Sequence, residues 1–432
     1  MSLLWPGEER AGDLFSEGAY LAAMVRVEEA WLAAAVSSGI APEEARTPLA
    51  DLVSADDVPV LAEGAEGGGN PVIGLVKLLR GRLDGEAARW LHKGLTSQDV
   101  VDTALVLCLR DVLDRVEGEL ASQAAALVGL AREHRATVMA GRTLTQHAVP
   151  ITFGLKAATW LSGLTDAVEG LRHARTSLPA QVGGAAGTLA AVVELARLRG
   201  LADPVAAAQA AVSATANALD LVPRTPWHTN RAPLTAAADA LVTTADTWGR
   251  IATDVTLMTR PEIGELSEPA GAGRGGSSTM PHKSNPVLSV LIRRHALAAP
   301  SLASTLHTAA ASYVDERPDG AWHVEWETLQ TLARRSAVAA SQTSELLAGL
   351  RVDAARMRAT AEAAGADLLA EQRSLTEFVG DGPSTSSGHR VLSGSEAASG
   401  LAANSLEFSL GAADALIDTT IARAHETWKT EL

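Results

Sequence analysis

The chain has 432 residues and a formal net charge of −15, and its lysines and arginines form no runs. It offers no basic field for a phosphate backbone, which excludes nucleic acid as an expected partner. Hydrophobic residues make up 47% of the chain but aromatic residues only 3%, a balance that favours closely packed long helices over a sheet.

The first residues lack the basic and apolar regions of a signal peptide, so we expect a cytoplasmic protein. We expect no contact with a membrane either, because polar residues, glycine or proline interrupt the longest uncharged stretches, 176–193 and 295–314. The single cysteine, Cys108, lies in an apolar run, which predicts a buried hydrophobic side chain and rules out a disulfide scaffold.

Residues 1–105 are predicted to form an N-terminal helical domain. Apolar residues recur at helical spacing between Ser16 and Gly39. The segment Gly64–Pro71, which reads GAEGGGNP, is predicted to be a loop because its glycines interrupt the helical pattern. A further helical run through Leu79 leads to His92.

Residues 106–352 are predicted to form a central bundle of long helices, and 353–432 a small C-terminal helical domain. Helical periodicity covers roughly 103–136, 150–177, 203–219, 232–259, 286–312 and 322–350. No segment shows the alternation of a strand, so the predicted fold class is all-α. After Val352 a shorter helical stretch runs to about Gln372, and the run GDGPSTSSG from Gly380 then interrupts the pattern.

The segment 262–286 has no helical periodicity although it lies between two predicted long helices. Connections within bundles usually have roughly 2 to 8 residues, so a longer one is more typical of a functional loop than of a linker. Its glycines, followed by Ser277 and Ser278, could present backbone N–H groups to an anion. The spacing of a Walker loop is absent, which disfavours a nucleotide phosphate.

Within this loop, residues 276–286 read GSSTMPHKSNP and resemble the signature of the fumarase/aspartase superfamily. Residues 92–104 (HKGLTSQDVVDTA) and 141–150 (GRTLTQHAVP) resemble the first and second regions of the same superfamily, in the same order. Alone, Thr96 and Ser97 could simply cap a helix, and Gln146 could be an ordinary buried amide. Three such segments in family order favour the functional interpretation.

The resemblance implies a three-domain, all-α subunit whose central helices assemble into a homotetramer, with each active site drawn from different subunits. It also implies a small di- or tricarboxylate substrate and a reaction that needs neither a metal nor an organic cofactor. The wide apolar faces of the central helices agree with partners on more than one side.

In this superfamily the first serine of the signature transfers a proton at the carbon beside a substrate carboxylate, and the resemblance places that role at Ser277. A serine needs help to act as a base, which backbone N–H groups and the nearby Lys283 could provide. Lys283 and Asn285 would also hold a carboxylate. The other positions that the resemblance assigns to substrate binding are Thr96, Ser97, Thr143, Gln146 and Arg317; for Arg317 an exposed salt bridge is the alternative.

Two positions indicate which subfamily of the superfamily the chain resembles. Members that make purines carry a histidine where this chain has Leu144, and many members carry a glutamate where it has Val290. Both departures are shared by the bacterial 3-carboxy-cis,cis-muconate cycloisomerases, which the chain also resembles at 68–73, 315–327 and 350–358.

The implied reaction closes a lactone by adding a carboxylate across a conjugated double bond, with Ser277 as the proton donor. Because the resemblance fades between about 365 and 399, a lyase that eliminates an amine or nitrite from a β-substituted succinate remains the alternative, and an inactive structural homologue a more distant one. His92, His147 and His323 are candidates for the acid or base opposite Ser277, each with a structural role as the alternative.

Overall fold

The structure is a computed structural model that describes residues 3–271, 273–277, 279–280, 283–317, 319–380 and 406–429. It is mostly helical, which confirms the predicted all-α class. The helices are α1 Glu17–Ser37, α2 Val58–Gly68, α3 Val72–Arg82, α4 Gly85–Trp90, α5 Ser97–Glu133, α6 Phe153–Thr176, α7 Ala190–Leu198, α8 Pro204–Ala218, α9 Ala232–Met258, α10 Val287–Ala311, α11 Gly320–Ala348, α12 Ala354–Leu368, α13 Ala370–Gly380 and α14 Ala413–Trp428.

Short 3-10 helices and two small antiparallel strand pairs complete the described elements. The 3-10 helices are Glu8–Ala11, Glu43–Ala45, Ala50–Leu52, Ala55–Asp57 and Glu407–Ser409. The strands are β1 Val138–Thr143 paired with β2 Gln146–Thr152, and β3 Leu266–Ser267 paired with β4 Arg351–Val352.

The predicted long helices are confirmed as α5, α6, α8, α9, α10 and α11. Their periodic apolar residues become the core: Val112, Val116 and Leu120, on one stripe of α5, are all 0% exposed. Cys108 is a free cysteine buried on the same helix, as predicted. Among the described residues, no helix is long and apolar enough to cross a membrane.

The prediction of a loop from Gly64 was wrong, because α2 continues to Gly68. Each glycine weakens a helix by only about 1 kcal/mol, which packing can offset. Here Leu61 is buried and packs against Gly74 of α3. A capping box between Ser54 and Asp57 begins the 3-10 helix Ala55–Asp57, which leads directly into α2.

The sequence showed no strand alternation, and the hairpin that β1 and β2 form was therefore not predicted. The first four residues of β1 are all buried, so the strand shows no alternation of apolar and polar residues. Its two-residue turn, Leu144 and Thr145, contains neither the glycine nor the asparagine that usually marks such turns. The pair β3–β4 is too short to leave a pattern.

The chain divides by its internal contacts into two compact units. One comprises Met1–Gly118, Gly170–Ala245 and His295–Ala340, and the other Glu119–Glu169, Asp246–Arg294 and Ser341–Leu432. The first unit has a core that includes Trp31, Leu32 and Val182. The second has a cluster in which Val138 and Ala140 of β1 pack with Leu368 of α12.

The sequential division at 105 and 352 stays a prediction. Residues 381–405, with most of the predicted GDGPSTSSG interruption, lie outside the described residues. In the preceding segment the helical structure extends through α13 to Gly380, farther than the predicted end near Gln372.

Candidate active site

The first predicted region begins α5. Thr96 precedes the helix and Ser97 is its first residue, and both are half-buried. The guanidinium of Arg317 donates a hydrogen bond to the Thr96 hydroxyl, although 221 residues separate the two. The structure therefore brings together two of the predicted carboxylate-binding residues. Among the described residues, the exposed Arg317 has this hydroxyl as a partner and forms no salt bridge.

A buried carboxylate, Asp99, holds this turn in place. Its Oδ2 accepts hydrogen bonds from the backbone N–H of Thr96 and of Gly184, both at 2.9 Å. Its Oδ1 accepts from Gly183 N–H at 2.9 Å and from the Gln181 amide at 3.0 Å. Asp99 is fully buried, so these donors replace the water that an ionised carboxylate would otherwise require.

A second polar cluster consists of Asp102, one turn farther along α5, with Arg231 just before α9 and Glu325 on α11. Both carboxylates bind the buried Arg231, Asp102 with contacts of 2.6 and 2.9 Å and Glu325 with a shortest contact of 2.7 Å. One cation therefore faces two buried anions, and burial raises the pKa of Glu325. Trp322 also donates its indole N–H to Asp102 at 2.9 Å.

Two candidate histidines of the first unit have defined partners. His92 has a positive φ of 61°, and its Nδ1 lies 2.6 Å from Oε1 of the fully buried Glu28. This contact places the proton on Nδ1 and leaves Nε2 for another partner. In His323 both ring nitrogens face carbonyl oxygens, Nε2 that of Gly69 at 2.7 Å and Nδ1 that of Asp319 at 3.2 Å, which indicates a structural role.

The second predicted region is the β1–β2 hairpin. Thr143 and Gln146 are cross-strand partners at its end, and both are exposed, as is His147. Between them Leu144 and Thr145 have φ values of 48° and 70°, a conformation that side-chain-bearing residues rarely adopt. Leu144 is 96% exposed, so the hairpin presents an apolar tip flanked by polar side chains.

The signature loop places Ser277 in a turn of backbone donors. Its Oγ accepts hydrogen bonds from the N–H of Met280 at 3.1 Å and of Thr279 at 3.4 Å. Lys283 is exposed on the same loop. Ser278, Pro281 and His282 of the signature lie outside the described residues.

Asn285 closes this loop on itself. Its backbone N–H at 2.8 Å and its side-chain amide at 3.0 Å both donate to the carbonyl of Gly275. The amide oxygen of Asn285 is not used in these bonds. The residue predicted to bind a carboxylate therefore also holds together the two ends of the segment that carries Ser277 and Lys283.

Sequence reasoning named Thr96 and Arg317 but missed the roles of Asp99, Arg231 and Glu325. Apart from backbone groups three residues away, such as the N–H of Thr96, their hydrogen-bond partners lie 82 to 129 residues away, so no local pattern could reveal them. The one signal in the sequence was the presence of acidic residues in otherwise apolar helical stretches. A carboxylate at such a position is rarely buried without hydrogen-bond donors, so donors had to be expected near it.

Comparison with known proteins identifies the class. The family model described as lyase matches residues 24–299, more than half of the chain. The chain belongs to this lyase family, within the fumarase/aspartase superfamily.

The relatives are cycloisomerases and lyases. Nitrosuccinate lyase of Streptomyces davaonensis is 44% identical over 365 residues, which cover 83% of this chain and 76% of that protein. 3-Carboxy-cis,cis-muconate cycloisomerase of Pseudomonas aeruginosa is 44% identical over 351 residues, covering 80% and 74%. The crystal structure of 3-carboxy-cis,cis-muconate lactonizing enzyme from Pseudomonas putida matches with a TM-score of 0.81 at 33% identity, over 97% of each chain.

These findings confirm the resemblance to the superfamily and to the carboxymuconate cycloisomerases. The chain is an enzyme of the cycloisomerase and lyase class. Because relatives of similar identity carry out two different reactions, the superfamily is established and the particular substrate is a separate question.

Proposed function

We propose that this enzyme converts 3-carboxy-cis,cis-muconate into a lactone by adding one substrate carboxylate across the conjugated double bond. The observation that carries the proposal is Leu144 at the hairpin tip, which is apolar and 96% exposed. A hydrocarbon side chain cannot protonate a leaving amine. Lactone formation expels no leaving group, so it tolerates this residue where an amine elimination would be poorly served.

The strained turn supports a functional role for this hairpin. An L-residue in the left-handed region costs roughly 1–2 kcal/mol, and two adjacent residues, Leu144 and Thr145, adopt it. Strain of this kind concentrates at functional sites, where another requirement outweighs its cost. Thr143 and Gln146, on either side of the turn, would bind substrate carboxylates through their hydroxyl and amide groups.

Ser277 would supply the proton. When a carboxylate oxygen of the substrate bonds to a carbon of the diene, the displaced π electrons move onto the carbon beside another carboxylate, and the Ser277 hydroxyl protonates that carbon. The serine oxygen that remains is anionic. The N–H groups of Thr279 and Met280 already point at this oxygen, which supports the role because they would stabilise the charge as it forms.

The remaining predicted residues would hold the carboxylates. Thr96 and Arg317, already in contact, combine a hydroxyl with a cation, and Ser97 adds a second hydroxyl beside them. Lys283 would bind the carboxylate whose charge rises when the adjacent carbon becomes carbanion-like, so its stabilisation grows in the transition state. Asn285 would assist by closing the loop, and the second N–H of its side-chain amide would donate to the same carboxylate.

A second candidate is the elimination of nitrite from nitrosuccinate. The observation in its favour is the 44% identity to a protein named nitrosuccinate lyase. Nitrite is a stable anion that can leave without protonation, so Leu144 is compatible with this reaction as well. Elimination of an amine is the less favoured form of the lyase alternative for the same reason.

One panel separates the two candidates. Purified enzyme is mixed with 3-carboxy-cis,cis-muconate and, separately, with nitrosuccinate; the absorbance of the diene is followed in the first and nitrite release in the second. We expect loss of diene absorbance and a kcat/KM for muconate at least about tenfold above that for nitrosuccinate. The reverse ranking would replace the first candidate by the second, and no turnover of either would contradict both.

We also propose that the enzyme is a homotetramer whose active sites combine regions from different subunits. Exposed apolar residues on α10 support contacts with another copy: Leu297 is 76% and Val290 51% exposed. Light scattering coupled to gel filtration should give four times the mass of one chain, and a monomeric mass in an active sample would contradict the proposal. The cytoplasmic location and the absence of a cofactor stay predictions.

A further inference from the structure

A buried carboxylate on α1 holds the imidazole that lies just before the first predicted region. Oε1 of Glu28 lies 2.6 Å from Nδ1 of His92, and the Glu28 side chain is fully buried. The other oxygen of Glu28, Oε2, has no hydrogen-bond partner among the described residues. A buried carboxylate without donors is costly, so the contact with His92 is the one on which Glu28 depends.

His92 adopts a backbone conformation that calls for a reason. Its φ of 61° lies in the left-handed region, which costs an L-residue roughly 1–2 kcal/mol and which glycine adopts without strain. The imidazole is 18% exposed, and no described residue forms a hydrogen bond with its Nε2. A strained residue with one ring nitrogen fixed and the other open is typical of a functional position.

The backbone beside His92 is fixed by other contacts. The indole N–H of Trp31, on the same face of α1 as Glu28, donates to the carbonyl of Lys93 at 2.7 Å. Gly94 then packs so closely that a Cβ would lie 2.6 Å from a side chain of α7. With the backbone held in this way, the contact with Glu28 determines where the imidazole points.

The imidazole belongs to the same part of the site as Thr96. The two positions are four residues apart, so their Cα atoms lie within about 14 Å of each other, the length of a fully extended chain between them. Thr96 and Ser97 are the hydroxyl residues proposed to bind a substrate carboxylate. This relation holds within one region of one chain, so it does not depend on which subunits supply Ser277 and the hairpin.

We infer that His92 binds a substrate carboxylate through Nε2 and that Glu28 is the positioning residue for this imidazole. The inference rests on the proposed function, in which the first predicted region binds a carboxylate. Nδ1 is directed at Glu28, so a second proton on Nε2 makes the ring a cation whose charge the buried carboxylate balances. The Nε2–H then points away from Glu28 and forms a charge-assisted hydrogen bond with the ligand.

The test separates the open nitrogen from the contact behind it. Glu28→Gln keeps the size of the side chain and removes its charge. His92→Asn keeps an N–H donor close to the position of Nδ1 and tolerates a positive φ, but it lacks Nε2. Glu29→Gln is the matched control, because Glu29 accepts the N–H of Leu49 at 2.8 Å and a glutamine oxygen can accept the same bond. Each variant is assayed for kcat and KM with whichever substrate the wild type turns over, and each is melted.

We expect Glu28→Gln and His92→Asn to lower kcat/KM by about 10- to 100-fold, the range for loss of a hydrogen bond to a charged group, with most of the loss in KM. The double variant should lose little more than either single one, because both act through Nε2. Glu29→Gln should keep wild-type kinetics, and the other variants should melt close to it. Wild-type kinetics of His92→Asn, or activity losses that merely follow the loss of stability, would overturn the inference.

Chemical modification provides a readout that needs no turnover. Diethyl pyrocarbonate acylates accessible imidazole nitrogens, and mass spectrometry of the peptides locates the modified histidines. Saturating 3-carboxy-cis,cis-muconate should protect His92 and leave the modification of His173, an exposed histidine of α6, unchanged. Lack of protection would overturn the inference even if the enzyme is active. Protection in an enzyme that turns over neither substrate would instead locate the failure in the proposed function and leave the carboxylate-binding role standing.

Discussion

Replacing Asp99 by asparagine should strongly destabilise the first unit. The carboxylate accepts four hydrogen bonds, two at each oxygen, from the N–H groups of Thr96, Gly183, Gly184 and the Gln181 amide. Asparagine keeps one oxygen and turns an NH2 group toward two donors, which then lie buried without an acceptor. Each unsatisfied donor costs about 1–3 kcal/mol, so the free energy of unfolding should fall by roughly 2–6 kcal/mol.

Urea unfolding at one fixed protein concentration measures the effect, because the stability of an oligomer depends on concentration. Asp203→Asn is the matched control: Asp203 caps α8 and accepts a single N–H, from Ala206 at 3.0 Å, at an exposed position. Asparagine is an equally good helix cap, so this variant should change stability by less than about 0.5 kcal/mol. If the two variants proved equally stable, the four hydrogen bonds of Asp99 would not be what holds the turn before α5 in place.

Three further predictions concern buried groups. Burial raises the pKa of Glu325, so ionisation of its carboxyl group is less favourable in the folded than in the unfolded chain. The free energy of unfolding should therefore fall as the pH rises from about 4.3 through the folded pKa. In urea titrations at several pH values, Glu325→Gln should reduce that fall. Burial raises the pKa of Cys108 to about 12. A thiol reagent at about pH 8 should therefore react more than about a thousandfold slower with the folded chain than with the unfolded chain. Comparable rates would contradict the burial of Cys108. Gly183→Ala should lower the free energy of unfolding by about 1–3 kcal/mol, because the new Cβ would lie 2.5 Å from Cε1 of His228. Gly129→Ala, in open space on α5, should instead raise it by up to about 1 kcal/mol. Thermal melts that rank the two variants in the opposite order would contradict the packing around Gly183.

The helical framework could be predicted from the sequence because its signal is local. The stripe that includes Val112, Val116 and Leu120 repeats at the helical period, and burial of one face is what selects that period. The loop of 262–286 was predictable for the opposite reason, since a long break in periodicity between two strong helices needs an explanation.

Other elements depend on contacts that no local pattern contains. Helix α2 forms despite its glycines because Leu61 packs on α3. This tertiary contact outweighs the low helix propensity of glycine. The hairpin escaped prediction because both faces of its first strand are buried and because Leu144 and Thr145 occupy a turn that normally takes glycine.

The candidate site shows the same limit. The resemblance to the superfamily indicated Thr96, Ser277 and Arg317 one by one, since each lies in or near a recognisable motif. The contact between Thr96 and Arg317 spans 221 residues, and that between Glu28 and His92 spans 64. Such pairs follow from the fold rather than from sequence spacing, and they decide how the named residues are held.

The proposed proton transfer by Ser277 is tested with the variant Ser277→Ala. The reaction of 3-carboxy-cis,cis-muconate is followed in deuterated water, with Thr419→Ala as the control that removes an exposed hydroxyl from α14. We expect one deuteron on the carbon beside a carboxylate in the wild-type lactone, a loss of kcat of about 100- to 10,000-fold in Ser277→Ala, and wild-type turnover in Thr419→Ala. Turnover by Ser277→Ala at the wild-type rate, with substrate bound and the fold intact, would contradict it.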